Sequence, residues 1–320
     1  MTTSCTRWLV TFYTRTPLHV GSGSSVEVVD LPIARERVTG FPVIPATALK
    51  GVLLQRAREL WHKEPKENED LPEEAKILFG DADGDAEIVE AAGEKKQVSN
   101  AGCLQIMEGK LLCFPVRSLA GCFAWLSCPT TLQRLGRDIG RSIPVPRVSK
   151  EKVLAGEDLW IHAEKGSKRF VVLEEYALEE ESSQASGEFA TVAQELQSLC
   201  QDSLWRSFFQ KRLALVHDEE FQHFVSSSTE IVARIRLDPW TRTNKNLFYQ
   251  ENVPCETLFY SVLTLLPPRR SSALGTPQKL LDELLPSDRP ILLQIGGDET
   301  TGHGMCEAYR RPLDLEEETK

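Results

Sequence analysis

No apolar run in the sequence approaches the roughly 20 residues that cross a bilayer, so no membrane span is expected in its 320 residues. Met1 to Val10 lacks a basic start followed by an apolar core, which argues against a secretory signal. Cysteine is present eight times but never as C-x-x-C. Cys103, Cys113, Cys122 and Cys128 are separated by nine, eight and five residues, which fits no standard zinc pattern. With no secretory signal, the cysteines read as thiols of a reducing, cytoplasmic compartment. Also missing are the Gly-Lys-Ser/Thr ending of a nucleotide P-loop, the spacing of a dinucleotide fingerprint and a G-x-S-x-G elbow. An NTPase, a dehydrogenase and a serine hydrolase are therefore disfavoured.

What is present is an ordinary globular composition, 41% hydrophobic and 26% charged, long enough for one large or two smaller domains. The net charge is −10, and it is unevenly spread. Residues 62–96 hold twelve acids against five bases, residues 174–188 hold six acids and no base, and residues 314–320 carry a net −3. The rest of the chain therefore carries a net +6. A basic body with acidic decorations is compatible with an RNA partner, although acid runs are commonly just solvated faces.

Element patterning is irregular, which favours an α+β sandwich over a doubly wound parallel sheet. Arg7 to Arg15 reads as a strand, stopped by Pro17. Ala46 to about His62 reads as a helix with Leu49, Val52, Leu53 and Leu60 on one face. Residues 63–100 read as a flexible acidic insertion, and residues 178–190 as an acidic loop; both are expected to be mobile in the free chain. Leu104–Met107 and Lys110–Val116 suggest a hairpin about Glu108-Gly109. Cys122–Ser127 reads as a strand, Pro129–Gly140 as a short helix, Phe170–Leu178 as a strand and Glu188–Leu213 as the longest helix. Thr229–Leu237 and Leu258–Leu266 are expected to pair as a long protruding hairpin, 229–266. Its tip would carry Trp240, Arg242, Lys245, Phe248 and Tyr249. Ile291–Ile295 reads as a buried strand running into a glycine-rich loop, 296–304.

Few residues stand out as chemistry. Gly296, Gly297, Gly302 and Gly304 would let backbone N–H groups approach an anion, or would simply make a tight turn. Asp30 is a lone carboxylate, which serves as a cap or surface charge as readily as a catalyst. His19 suits a base or a phosphate donor, or a structural histidine. Lys50, in the first turn of its predicted helix, is disfavoured by the helix dipole unless an anion binds there too.

Several motifs nevertheless fall in one order. They are Thr16-Pro17-Leu18-His19-Val20-Gly21-Ser22-Gly23, Val29-Asp30-Leu31-Pro32-Ile33, Arg35-Glu36-Arg37, Thr39-Gly40-Phe41-Pro42-Val43-Ile44-Pro45 and Leu49-Lys50-Gly51. Phe114-Pro115-Val116-Arg117-Ser118, Ser228 to Ile235 and Gln294-Ile295-Gly296-Gly297 complete the set. Together they resemble the RAMP superfamily of type III CRISPR systems, and most closely the repeating backbone subunit of type III-B (Cmr) effector complexes. The resemblance runs from residue 7 to about residue 305, so residues 1–320 read as one domain of that family.

The resemblance implies a ferredoxin-like, RRM-type palm with a protruding β-hairpin thumb. It implies copies stacked as a filament along a guide RNA (crRNA), beside other Cmr subunits, with complementary target RNA cut once per copy. It places the catalytic aspartate at Asp30, which would also hold a transient Mg²⁺ or Mn²⁺ ion. The implied chemistry is attack of a ribose 2′-OH on the adjacent phosphate. RNA contacts are expected from His19, Arg35, Arg37, Lys50, Arg117, Arg234, Arg236, Trp240 and the four loop glycines. Two alternatives are a non-catalytic guide scaffold with an inert Asp30, and a metal-free repeat-processing ribonuclease using His19 or His303. The sequence departs from the family in two places. Gln250 stands where a Tyr-Glu-Glu run has its first Glu, and Pro45-Ala46-Thr47-Ala48 replaces a usual Gly/Ser pair.

Overall fold

The structure is a computed structural model that describes residues 5–23, 29–61, 71–81, 87–91, 94–98, 100–163, 168–181, 186–268 and 275–313. Its first half comprises β1 (Thr6–Thr14), β2 (Val43–Ile44), α1 (Ala46–Trp61), α2 (Glu73–Phe79), β3 (Glu87–Ala91), β4 (Glu94–Val98), β5 (Leu104–Ile106), β6 (Gly109–Arg117), β7 (Phe123–Ser127) and α3 (Pro129–Ile139). Then come β8 (Lys152–Ala155), β9 (Ile161–His162), β10 (Arg169–Leu173), β11 (Tyr176–Glu180), α4 (Ser186–Gln197), α5 (Ser203–Arg212), β12 (Leu213–Val216) and α6 (Asp218–Ser227). The last part holds β13 (Glu230–Leu237), β14 (Asn244–Asn252), β15 (Leu258–Leu265), α7 (Pro277–Leu284), β16 (Ile291–Gln294) and β17 (Met305–Leu313).

One mixed sheet organises the molecule, in the order β16-β17-β1-β15-β6-β7-β12-β8-β11-β10-β9, with β2 on β6 and β5 on β15. This is an α+β fold, as expected. Strand β1 shows why the sheet is buried on both faces. Successive side chains of a strand point to opposite sides, and here Trp8, Val10 and Phe12 enter one core while Leu9 and Tyr13 enter the other. The first core is covered by α1, α2, α6 and α7, and the second by α3, α4 and α5. In the second, Trp205 stacks on Phe209 at 3.8 Å and meets Trp125 and Tyr13 edge-on at 5.3 and 5.5 Å.

The strand and helix pattern is corrected in five places. Leu104–Met107 and Lys110–Val116 do not form a hairpin: β5 and β6 both lie along β15, continuing one line. Gly109 opens β6 and pairs with Ile44 of β2, where a Cβ would come within 2.9 Å of the Ile44 side chain. The expected strand Phe170–Leu178 is the hairpin β10–β11, turning at Glu174 with φ +49°. The expected helix Glu188–Leu213 is two helices, because the Asp202 carboxylate caps α5 by accepting from the Leu204 and Trp205 N–H groups. A helix, α2, lies inside the expected insertion 63–100, and Ala75, Ile77, Leu78 and Phe79 are buried in the first core. Residues 62–70, 82–86, 92–93, 99 and 182–185 lie outside the described residues.

The fifth correction concerns the protruding hairpin. β13 pairs with β14, not with Leu258–Leu266, whose strand β15 lies beside β1 inside the main sheet. A tight turn causes this. The Asp238 carboxylate accepts from the Trp240 and Thr241 N–H groups, and Arg242 adopts φ +59°. The residues read as a polar tip, Asn244–Asn252, are instead the return strand.

The passage from this hairpin into β15 contains a half-buried acid. Glu256 sits at φ +67°, receives the Tyr13 hydroxyl hydrogen bond and accepts the Trp125 indole N–H on its carbonyl at 2.9 Å. Burial pushes its carboxyl up to about 7 from an ordinary value near 4.5. The folded state thus keeps a proton that the unfolded chain releases. The stability this group contributes is present below about pH 4.5 and is lost as pH rises towards 7. Glu256→Gln removes that loss, so the gap in melting temperature between variant and wild type should grow in the variant's favour over this window. A gap that stays constant with pH would show that Glu256 does not titrate there.

Candidate RNA-binding and cleavage site

The segment following β1 crosses the foot of the β13–β14 hairpin and builds the site there. Leu18 and Val253 exchange backbone hydrogen bonds of 2.8 and 2.9 Å. Leu31 donates to the Tyr249 carbonyl at 3.1 Å and accepts from the Glu251 N–H at 3.0 Å. These bonds bring Asp30, half-buried, to β14, where its Oδ2 accepts from the Tyr249 N–H at 2.8 Å. His19 reaches the same strand: its Nδ1 lies 2.7 Å from the Glu251 carbonyl. A carbonyl only accepts, so Nδ1 carries the hydrogen in this contact. His19 and Asp30 thus meet backbone groups two residues apart on one strand.

Glu251 ties this corner together. Its buried carboxylate accepts from Arg35 Nη2 at 2.6 Å, Thr229 Oγ1 at 2.9 Å and the Ile33 N–H at 3.1 Å. Sequence reasoning did not single it out for this role. Its signal is an acid flanked by Gln250 and Asn252 in a strand that also turns Tyr249 outward.

The expected RNA contacts divide into two groups. Arg37, Lys50 and Arg236 are exposed and, among the described residues, make no hydrogen bond or ion pair. Lys50 is the fifth residue of α1, at the start of its second turn rather than in its first. Arg117, 71% exposed, pairs loosely with Glu174 at 2.9 Å. Trp240 is 91% exposed at the hairpin turn. Arg35 and Arg234, by contrast, are engaged inside the protein. Arg35 also donates to the Gly40 and Val225 carbonyls at 2.8 and 3.1 Å, and Arg234 donates to Asp298 at 3.0 Å. Their guanidinium groups organise the fold beneath the surface instead of presenting a free cation.

The glycine-rich loop is also spent internally. The N–H groups of Gly297 and Gly304 donate to the His19 and Pro17 carbonyls at 2.9 and 2.8 Å, and that of Gly302 donates to Glu299. Gly296 is required by close approach, since a Cβ there would come within 2.2 Å of the His19 carbonyl oxygen. The loop therefore packs against the His19 segment; three of its four glycine N–H groups do not form a phosphate cradle. No group of three His, Cys, Asp or Glu side chains that could hold a metal ion occurs among the described residues. Nor does any helix among them have the length and apolarity to cross a membrane.

A basic, aromatic hairpin rising from a half-buried aspartate on an α+β sheet defines a class. The RAMP superfamily model matches residues 11–307, and the chain belongs to that superfamily. Among proteins, it is similar to one from Pyrococcus furiosus named CRISPR system Cmr endoribonuclease Cmr4, with 34% identity over 307 residues and 93% of each chain covered. Among solved structures, it resembles oligomeric Cmr4 from Pyrococcus furiosus with a TM-score of 0.68 and 29% identity, covering 97% of this chain and 100% of that one. The fold also matches a chain of the type III-B Cmr-β complex bound to cognate target RNA, at a TM-score of 0.64 and 18% identity over 96% and 97% of the two chains.

Proposed function

We propose that the chain is a repeating backbone subunit of a type III-B CRISPR effector complex. It stacks on a guide RNA with further copies of itself and other Cmr subunits, and cuts complementary target RNA. The observation that carries this reading is the position of Asp30 at the foot of a hairpin whose turn exposes Trp240. A hairpin of two strands is marginally stable alone, and this one leaves Ile231, Ile235 and Leu237 exposed. Packing against RNA and a neighbouring copy would cover those residues. Trp240 is suited to wedge against a base, which holds one nucleotide off A-form geometry at a cost of a few kcal/mol.

In-line attack needs O2′, phosphorus and O5′ aligned. Asp30 takes the 2′-hydroxyl proton as the O2′–P bond forms, with His19 anchored to the same strand two residues further on. The P–O5′ bond breaks and O5′ takes up a proton, leaving a 2′,3′-cyclic phosphate and a 5′-hydroxyl. Among the described residues Asp30 is the carboxylate offered to a metal, which fits a hydrated Mg²⁺ or Mn²⁺ ion completed by water and RNA phosphates. Such an ion, when bound, supplies charge neutralisation at the phosphate.

Lys50, Arg37 and Arg236 are assigned to backbone phosphates, together with Arg117. Each phosphate contact on a single strand contributes about 0.7 to the slope of log affinity against log salt. Replacing Lys50, Arg37 and Arg236 together with alanine should therefore flatten the slope by about 2 in fluorescence anisotropy on guide RNA. An unchanged slope would remove these residues from the RNA path.

A further inference from the structure

We infer that Asp298 is a positioning residue. With Gln250 and Arg234 it forms a clasp that fixes the foot of the β13–β14 hairpin and, through β14, the orientation of Asp30. The Asp298 Oδ2 accepts from Gln250 Nε2 at 2.5 Å and from Arg234 Nη2 at 3.0 Å. One carboxylate in the loop thereby holds one side chain from each hairpin strand. Gln250 is only 2% exposed, and its Nε2 also donates to Asn252 Oδ1 at 2.9 Å.

The body side of the clasp is fixed too. Asp298 adopts φ +62°, and its carbonyl accepts from the Thr301 N–H and hydroxyl at 3.0 and 2.9 Å and from the His303 N–H at 3.3 Å. The neighbouring Gly297 N–H is tied to the His19 carbonyl. Arg234 Nη2 also lies 3.0 Å from His303 Nδ1. A guanidinium only donates, so in this contact the imidazole nitrogen is the acceptor.

Two features give the clasp its consequence. The hairpin is a separate two-stranded sheet, and β13 pairs with no strand except β14 among the described residues. The residue beside Gln250 is Tyr249, whose N–H holds the Asp30 carboxylate. A rotation of β14 therefore moves Asp30. This also explains the amide at position 250. A glutamate there would set two carboxylates within hydrogen-bond reach of each other, where both cannot comfortably ionise.

The test exchanges the two partners. In the free full-length chain, Gln250→Glu and, separately, Asp298→Ala should speed amide hydrogen exchange across 230–237 and 244–252 by about tenfold. The amides of β1, β15 and β17 should stay protected, which shows that each variant is folded. The double variant Gln250→Glu with Asp298→Asn reverses donor and acceptor between these two side chains while costing Arg234 Nη2 its acceptor atom, so it should slow exchange again, but only part of the way to wild type. Unchanged hairpin exchange in the single variants, or no recovery in the double variant, would overturn the clasp.

A second arm rests on the RNA-cleaving reading. In the assembled complex, Gln250→Glu should slow target cleavage without weakening target binding, and the double variant should recover part of the rate. Recovery of exchange without recovery of rate would overturn the link to Asp30. If the wild-type complex cuts no RNA at all, the cleavage reading fails, while the exchange result still decides the clasp.

Discussion

Glu251→Ala should cost about 3 kcal/mol of folding stability, the lower end of what is lost when one partner of a buried ion pair is removed. The carboxylate is 7% exposed and is the only acceptor described for Arg35 Nη2, Thr229 Oγ1 and the Ile33 N–H. Alanine leaves the donors in place without their acceptor. The loss is not larger because Arg35 is 23% exposed and keeps two carbonyl partners through Nη1. Glu251→Gln retains one acceptor oxygen and should lose about 1 kcal/mol, the worth of an ordinary hydrogen bond. Urea denaturation of the three proteins at one pH measures this. A loss below about 0.5 kcal/mol for the alanine variant, the range of an ordinary surface substitution, would mean that the corner is held by the backbone bonds of Leu18 and Leu31 instead.

The largest effect on activity is expected at Asp30. Asp30→Asn keeps an oxygen that can accept from the Tyr249 N–H, so the loop geometry survives, but it removes the charge and the base. A positioned general base contributes about 10²- to 10⁴-fold, so target cleavage by the assembled complex should fall by at least about 100-fold. Binding of guide and target should be retained, because the exposed cations Lys50, Arg37 and Arg236 are untouched. His19→Ala should cost less, since His19 mainly fixes its segment to the Glu251 carbonyl. Single-turnover cleavage with saturating complex separates these effects from affinity.

Much of this site was legible in the sequence, and the reasons are specific. The Val29-Asp30-Leu31-Pro32-Ile33 block is short and sits between a glycine-rich segment and a proline, so Asp30 stood out as a family marker. The hairpin's first strand was legible because Ile231, Ala233, Ile235 and Leu237 alternate with Glu230, Val232, Arg234 and Arg236. Its return strand was not. Asn244–Asn252 is exposed along its first half and buried at Gln250, Glu251 and Asn252, which inverts the polarity that marks a strand interior. Leu258–Leu265 then looked like the better partner, although its mainly apolar run, interrupted by Ser261 and Thr264, belongs to a strand buried on both faces. The internal partners of Arg35 and Arg234 were hidden for a related reason. An arginine between polar neighbours looks like a surface cation until the acids that engage it, Glu251 and Asp298, are brought from 216 and 64 residues away. The loop glycines read as an anion cradle or a tight turn; the contacts they make with the His19 and Pro17 carbonyls come from a segment about 280 residues away and leave no mark in the sequence.

The most direct measurement uses the reconstituted, guide-loaded complex with end-labelled complementary RNA and Mg²⁺, comparing wild type with Asp30→Asn while target binding is followed in parallel. The expected result is a ladder of evenly spaced cuts ending in 2′,3′-cyclic phosphates for wild type, and bound but intact target for the variant. The same ladder from both proteins would remove Asp30 from the chemistry, and intact target from both would leave the chain a guide-RNA scaffold.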